Sequence, residues 1–397
     1  MSLNASTAGW DSISIEIFAN KTDAEIAAIT GKSANAVSKR RKRLIEAGFL
    51  QLDPNAQSVF QELMVAQTQR DLRADVSTRD KEIIRLQKEL DVARRIDAGV
   101  RQPPKWVLST RKSSGRVGII TAQLTDTHFD EVVKPEEVGY INAYNREIAE
   151  KRLKKWVEKV IVLARDYVTG VDIEGLFIPS TGDLLSGDIH SELKESNEDL
   201  LYASADHWIN QLITAIGTFA DEFGKVHIAA VVGNHGRSTI KPVFKGRAKS
   251  NIEWLMWRQI SRYFEADERV TVQVSDSMDL PVTVYNTNYL LTHGDQYRGG
   301  SGISGAMAPL MLGQHRKAVR QMATDTPMDI MVLGHFHQYL QLPGLIMGGS
   351  IKGYDEFAYG HNLRPEPAQQ AFWVTSPEYG PTIHAPVHVQ KRKEEGW

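Results

Sequence analysis

Apolar positions along this 397-residue chain follow two different rhythms. Between Thr22 and Leu50 they recur with the helical period. Ile26 and Ile29 share one face of a first helix that Thr22 or Asp23 can cap. Val37, Leu44 and Ile45 turn inward on a second that Ser33 can cap, with Gly31 between the two and Gly48 ending the pair. From about 57 to 100 the spacing becomes heptad-like, with Val76, Ile83 and Leu90 in one series and Leu72, Leu86 and Ala93 in the other, interrupted at Arg79. That spacing predicts a long helix, either packed on its own chain or forming a homodimer seam through 70–95. Pro103 and Pro104 stop it, because proline cannot continue the hydrogen-bond ladder. Beyond Trp106 the apolar residues gather into runs at 117–124, 176–179, 226–232, 288–292 and 329–333, which read as buried strands, with helical stretches at 145–168 and 198–223 between them. The expectation is an α/β layered domain over 105–397, a small helical domain over 1–55 and a linker helix over 56–104.

Charge is unevenly distributed over these segments. Up to Lys112 there are 19 basic and 14 acidic side chains; beyond it there are 28 basic and 35 acidic. A basic front suits a polyanion and an acidic remainder suits cations. The second N-terminal helix carries Lys39, Arg40, Arg41, Lys42 and Arg43 on its outer side. The pair of helices resembles a helix-turn-helix, possibly winged. Residues 22–50 would thus contact DNA through Lys39, Arg40, Arg41 and Arg43; a docking module with a solvated basic face is the bland alternative. The chain has no cysteine, which excludes disulfides, thiolate metal sites and cysteine nucleophiles, so any metal must be held by nitrogen and oxygen. No apolar run reaches 18 residues and the start lacks a signal-like pattern, so the expectation is a cytoplasmic protein, bacterial or in a phage-infected host, with no membrane partner.

The chemistry sits at the end of each apolar run. The five runs lead into Asp126-Thr127-His128, Gly182-Asp183, Gly233-Asn234-His235, His293-Gly294-Asp295 and Gly334-His335-Phe336-His337. The carboxyl ends of strands in an α/β sheet converge on one crevice, so donors remote in sequence would meet there. Imidazoles, carboxylates and an amide oxygen form a borderline-hard set suited to manganese, iron or zinc rather than to magnesium or calcium.

The order D-x-H, G-D, G-N-H, H, G-H-x-H over Asp126 to His337 resembles the motif series of the calcineurin-like metallophosphoesterase superfamily. The resemblance implies a four-layer αββα sandwich and two divalent cations, manganese first, with iron, zinc or nickel also fitting. Asp126, His128 and His337 would hold one cation, Asn234, His293 and His335 the other, and Asp183 would bridge them. A bridging carboxylate offsets the repulsion of cations about 3.5 to 4 Å apart, and such a pair makes hydroxide available near neutral pH to attack phosphorus in line.

His235 would protonate the leaving oxygen. Many relatives place a carboxylate directly after this histidine to orient it, whereas this chain has Gly236 and then Arg237, a candidate contact for a substrate phosphate. Asp188 and His190 repeat ligand-like spellings but fit the mouth of the site better, and the glycine-rich stretch 297–305 is a weak candidate for a loop near substrate. The tethered basic module favours a DNA-directed phosphodiesterase or nuclease, similar in its metal motifs to SbcD-type exonucleases and to bacteriophage metallophosphoesterases. A phosphomonoesterase that docks through its helix-turn-helix is the alternative; the second is a DNA-binding regulator with a vestigial phosphoesterase domain. The tail from Lys391 reads as disordered.

Overall fold

The computed structural model describes residues 15–51, 65, 69, 72–73, 75–83, 85–86, 103–108, 116–297 and 307–397. They belong to two compact units, Met1–Arg94 and Arg95–Trp397.

In the first unit, α1 (Ile15–Asn20), α2 (Asp23–Thr30) and α3 (Ala34–Glu46) enclose a core of Phe18, Ile26, Val37, Leu44 and Leu50. Thr22 and Glu25 form a reciprocal capping box at the start of α2, Gly31 ends it with φ 66°, and Ser33 accepts from the Ala36 N–H to start α3. Two expectations are corrected. Ile29 faces solvent, at the edge of the stripe that buries Ile26. Arg41 is an internal clamp: its guanidinium bonds Asp23 at 2.6 Å and donates to the Phe18 and Lys21 carbonyls, so it is consumed within the unit. Lys39 and Arg43 are exposed and Arg40 half-buried. The described residues between 65 and 86 are helical, and Leu72, Val76, Ile83 and Leu86 are exposed; Leu90 and Ala93 lie outside the described residues.

The second unit is a layered α/β sandwich. One sheet has the order β11-β10-β1-β2-β3-β4, built from β1 (Val117–Ala122), β2 (Asp172–Ser180), β3 (Val226–Ala230), β4 (Val270–Val274), β10 (Gln369–Ser376) and β11 (Gly380–His388). The other has the order β5-β6-β7-β9-β8, built from β5 (Asp279–Val284), β6 (Thr287–Thr292), β7 (Ile330–Leu333), β8 (Leu340–Leu342) and β9 (Leu345–Met347). β1 to β4 run parallel, as do β6, β7 and β9.

The period of two along each strand assigns the layers. Ile119 and Phe177 pack between the sheets with Leu291, Val332 and Trp373, while Ile120 and Ile178 face outward onto helices Arg146–Val162, Leu201–Phe223 and Ile252–Tyr263. On the far side, Met331 and Leu333 meet Leu310 of helix Met307–Ala323. This gives the order helix, sheet, sheet, helix. The strands missed in the sequence, β4, β5 and β8 to β11, are short or carry polar inward residues such as Gln370 and Thr375 that mask their period. Among the described residues no helix is long and apolar enough to cross a membrane.

The tail is ordered, against expectation. Helix Arg392–Glu395 brings Glu395 to the buried Arg152, whose guanidinium bonds it at 3.1 and 2.9 Å and also donates to the Ile351 and Lys352 carbonyls. A buried guanidinium without its carboxylate is costly, so Glu395→Ala is expected to lower unfolding free energy by about 3 kcal/mol. Urea denaturation of the two proteins checks this.

Candidate metal centre

All seven predicted ligands sit where a strand has just ended, and the two sheets deliver them to one pocket. Asp126 and His128 follow β1, Asp183 follows β2, Asn234 follows β3, His293 follows β6, and His335 and His337 follow β7. Hydrogen bonds across the sandwich hold these ends together. Gln123 donates to the Leu333 carbonyl at 2.8 Å, and the His335 N–H straddles the Asp126 carboxylate at 3.0 and 2.9 Å.

Five of the seven, Asp126, His128, Asp183, His335 and His337, have positive φ between 45° and 72°. Non-glycine residues adopt that conformation at a cost and keep it where the surroundings dictate it, commonly at functional sites. Space is equally tight. A Cβ on Gly233 would lie 2.0 Å from Asp183 Oδ1, and one on Gly334 would lie 2.2 Å from Asp126 Oδ2, so only glycine lets the carboxylates seat.

The donors fall into overlapping groups whose ligand atoms lie within 4.8 Å of one another: Asp126, His128 and His337; Asp183, His293 and His335; and His128, Asp183 and His235. His128 Nε2 lies 3.0 Å from His337 Nε2, and His337 Nε2 lies 3.6 Å from Asp126 Oδ1. On the other side, His293 Nε2 is 3.0 Å from both Asp183 Oδ2 and Asn234 Oδ1. Asp183 stands between the groups. Its Oδ1 accepts the His235 N–H at 2.8 Å, while Oδ2 lies 3.0 Å from His293 and 4.0 Å from His128.

Electrostatics describe a pocket suited to cations. Burial pushes the Asp126 carboxyl up to about 7. Burial, with Lys352 next, holds His128 and His337 well below the usual imidazole range, so both are neutral donors. Burial, helped by the charge on His293, takes His335 down to about 4. His293 goes the other way: burial disfavours its charge, but Asp183 and Asp126 outweigh it and raise the ring to about 10. Its Nδ1 donates to the Thr181 carbonyl at 2.7 Å, so the second proton sits on Nε2, between two oxygens where a divalent ion would otherwise lie. The donor set and its convergence therefore fit divalent metal; the chemistry of nitrogen and oxygen ligands selects first-row ions without distinguishing manganese, iron, zinc and nickel.

No family model matches the chain, and no curated protein does. Among solved structures, a conserved uncharacterized protein of Streptococcus pneumoniae described as a predicted phosphoesterase aligns over 68% of this chain and 98% of its own, at 11% identity and a TM-score of 0.24. A superposition that loose assigns no activity, and the side chains carry the reading.

Several supporting residues are invisible in the motif series. Glu253, buried at the start of its helix, accepts from the Leu184 N–H at 2.7 Å and the Gly233 N–H at 2.8 Å, so one carboxylate pins two ligand loops. Asn251 caps that helix and donates to the Gly233 carbonyl. Glu131 Oε2 lies 3.1 Å from His128 Nδ1, and Glu131 is held by the buried Lys352, which also bonds Asp355. Among the described residues neither Glu131 Oε2 nor His128 Nδ1 forms a hydrogen bond, so the carboxylate acts on the imidazole through its charge at short range. The only sequence signal was Glu131 at three residues after His128.

His235 Nδ1 lies 2.7 Å from the Ser186 carbonyl, which replaces the carboxylate absent at Gly236 as the group that orients the ring. His190 is exposed at the mouth, its ring 5.7 Å from that of His235, and Asp188 is exposed as well. Arg237 donates to the Asn234, Thr239 and Ile240 carbonyls, which ties its loop to the candidate ligand Asn234 and occupies three of its five N–H groups.

Replacing Glu253 by Gln turns one acceptor into a donor facing a backbone N–H. Metal affinity is expected to fall about 10- to 100-fold with the fold retained, read by calorimetric titration beside circular dichroism. A cation must also displace the His293 proton, held up to about 10. Affinity should therefore climb as pH rises, about tenfold per unit across about pH 7 to 9, with proton release measurable from buffers of different ionisation enthalpy.

Proposed function

We propose that this chain is a divalent-metal-dependent phosphoesterase whose substrate is DNA, cleaved as a phosphodiesterase or nuclease. The observation that carries the hydrolytic reading is the convergence of seven side chains from five strand ends, with Asp183 shared between two donor groups. Two cations held there would supply positive charge to phosphoryl oxygens and lower the pKa of a water toward neutrality.

The protein's own groups prepare that chemistry. The Thr181 carbonyl aims His293 Nε2 into the pocket, and the Glu131 carboxylate lies 3.1 Å behind the His128 ring. Asp183 Oδ1 is held by the His235 N–H, leaving Oδ2 to face both donor groups. A carbonyl can only accept, so the Ser186 oxygen keeps a proton on His235 Nδ1, and Nε2 is the atom able to pass a proton to a leaving oxygen.

The choice of DNA is supported by α3, whose Lys39 and Arg43 are exposed with Arg40 half-buried on a capped helix pair that resembles a helix-turn-helix. A phosphodiester polymer is the substrate that such a module would concentrate at the site.

The test is manganese-dependent cleavage of single- and double-stranded DNA beside hydrolysis of p-nitrophenyl and bis-p-nitrophenyl phosphate. Asp183→Asn should reduce every activity to background. Lys39→Ala/Arg40→Ala/Arg43→Ala should lose about tenfold or more on duplex DNA at moderate salt and much less on the small diester. Rapid monoester turnover with no DNA cleavage under any of the four metals would transfer the reading to a phosphomonoesterase.

A further inference from the structure

The segment Arg237–Lys249, directly after the candidate ligand Asn234, differs in charge from the domain around it. It holds Arg237, Lys241, Lys245, Arg247 and Lys249 and no acidic residue, within a region where acidic side chains outnumber basic ones. Its base is closed by a β-bridge between Arg237 and Asn251 and by the Ser238 N–H donating to the Ser250 carbonyl at 3.0 Å. Both flanks rest on the metal centre. Arg237 bonds the Asn234 carbonyl at 3.2 Å, and Arg247 bonds Asp295, two residues past His293, at 2.7 Å.

Between those anchors the chain presents apolar side chains to water. Phe244 is 93% exposed and Ile240 is 79% exposed. Lys241 and Lys245 flank them, and among the described residues neither forms an ion pair. A large aromatic left in solvent between lysines, on a loop anchored at the candidate ligand Asn234 and at Asp295 beside the candidate ligand His293, has the composition of a platform for nucleic-acid bases: the ring offers a stacking face and the ammonium groups neutralise adjacent phosphates.

We propose that Phe244, with Lys241 and Lys245, forms a strand-binding lip that stacks a base of single-stranded nucleic acid and leads its backbone to the metal centre. This rests on the phosphodiesterase reading above and names the form of substrate that reaches the site. Loop and helix-turn-helix have separate tasks: α3 engages duplex, and the lip engages an unpaired strand. Charge complementarity selects the strand, because lysines without carboxylate partners among the described residues match one phosphate each.

The experiment measures binding of the full-length protein, with chelator present so that nothing is cleaved, to a fluorescent thymidine 20-mer. Phe244→Ala should weaken binding about tenfold, within the range for loss of one stacked base. Lys241→Ala/Lys245→Ala should reduce the slope of log affinity against log salt by about 1.4, as expected for two phosphate contacts on a single strand. Photo-cross-linking of an iodouracil-substituted strand should label the peptide that contains Phe244. Wild-type affinity in both variants together with cross-links elsewhere would overturn the lip. So would Phe244-dependent flotation on phosphatidylserine vesicles without any change in strand binding, because that marks a lipid contact. Bis-p-nitrophenyl phosphate hydrolysis by the wild type reports the phosphodiesterase reading separately: its absence, with strand binding still dependent on Phe244, would end that reading and leave the lip standing.

Discussion

The candidate centre depends on one buried carboxylate held from both sides. Asp183 is buried, reaches toward His293 and His128 with one oxygen, and is anchored through the other by the backbone N–H of His235. An anion in that position would be expensive in a dry interior. It is tolerated because positive charge lies beside it, from the His293 ring or from cations that take the place of that ring's proton. Much of the surrounding structure can be understood as the means of keeping that oxygen where two sets of donors meet.

Geometry enforces this at the level of the backbone. Ligands in the left-handed region place side chains at the tips of abrupt turns, and the turns persist because each is held from behind. Glu253 bonds the loops after β2 and β3, and the His335 N–H bonds the carboxylate after β1. Behind the first donor group lies a second arrangement of charges, in which Lys352 links Glu131 and Asp355. The ligand loops are thus braced by polar contacts from other strands and helices, which makes the pocket a property of the whole sandwich.

The convergence of the candidate ligands was legible in the sequence, because each stands one or a few residues beyond an apolar run and strands of that kind end on a common edge. The five central strands were legible for the same reason. What escaped was context. Glu253 and Lys352 lie in helical or irregular sequence with no pattern marking them, since a buried charge is recognisable only once its partners are known. Arg41 and Arg237 looked like surface cations but donate to nearby carbonyls, because a guanidinium has five donors and a nearby set of carbonyls can absorb them without leaving any trace in composition. The tail at Arg392–Glu395 reads as polar and mobile until Arg152, more than two hundred residues earlier, is seen to need its carboxylate. Residues 298–306, which include most of the glycine-rich stretch, lie outside the described residues.

β1 lies between β2 and β10, and Gln370 of β10 reaches the backbone of Thr125, next to the ligand Asp126. The strand that carries the first ligands therefore obtains one of its two neighbours from a residue synthesised 245 positions later. Without residues 369–376 that edge of β1 is unpaired, so the pocket of candidate ligands is complete only when the late strand has joined the sheet. Any divalent ion that binds this pocket would therefore bind the assembled sandwich rather than one stretch of sequence.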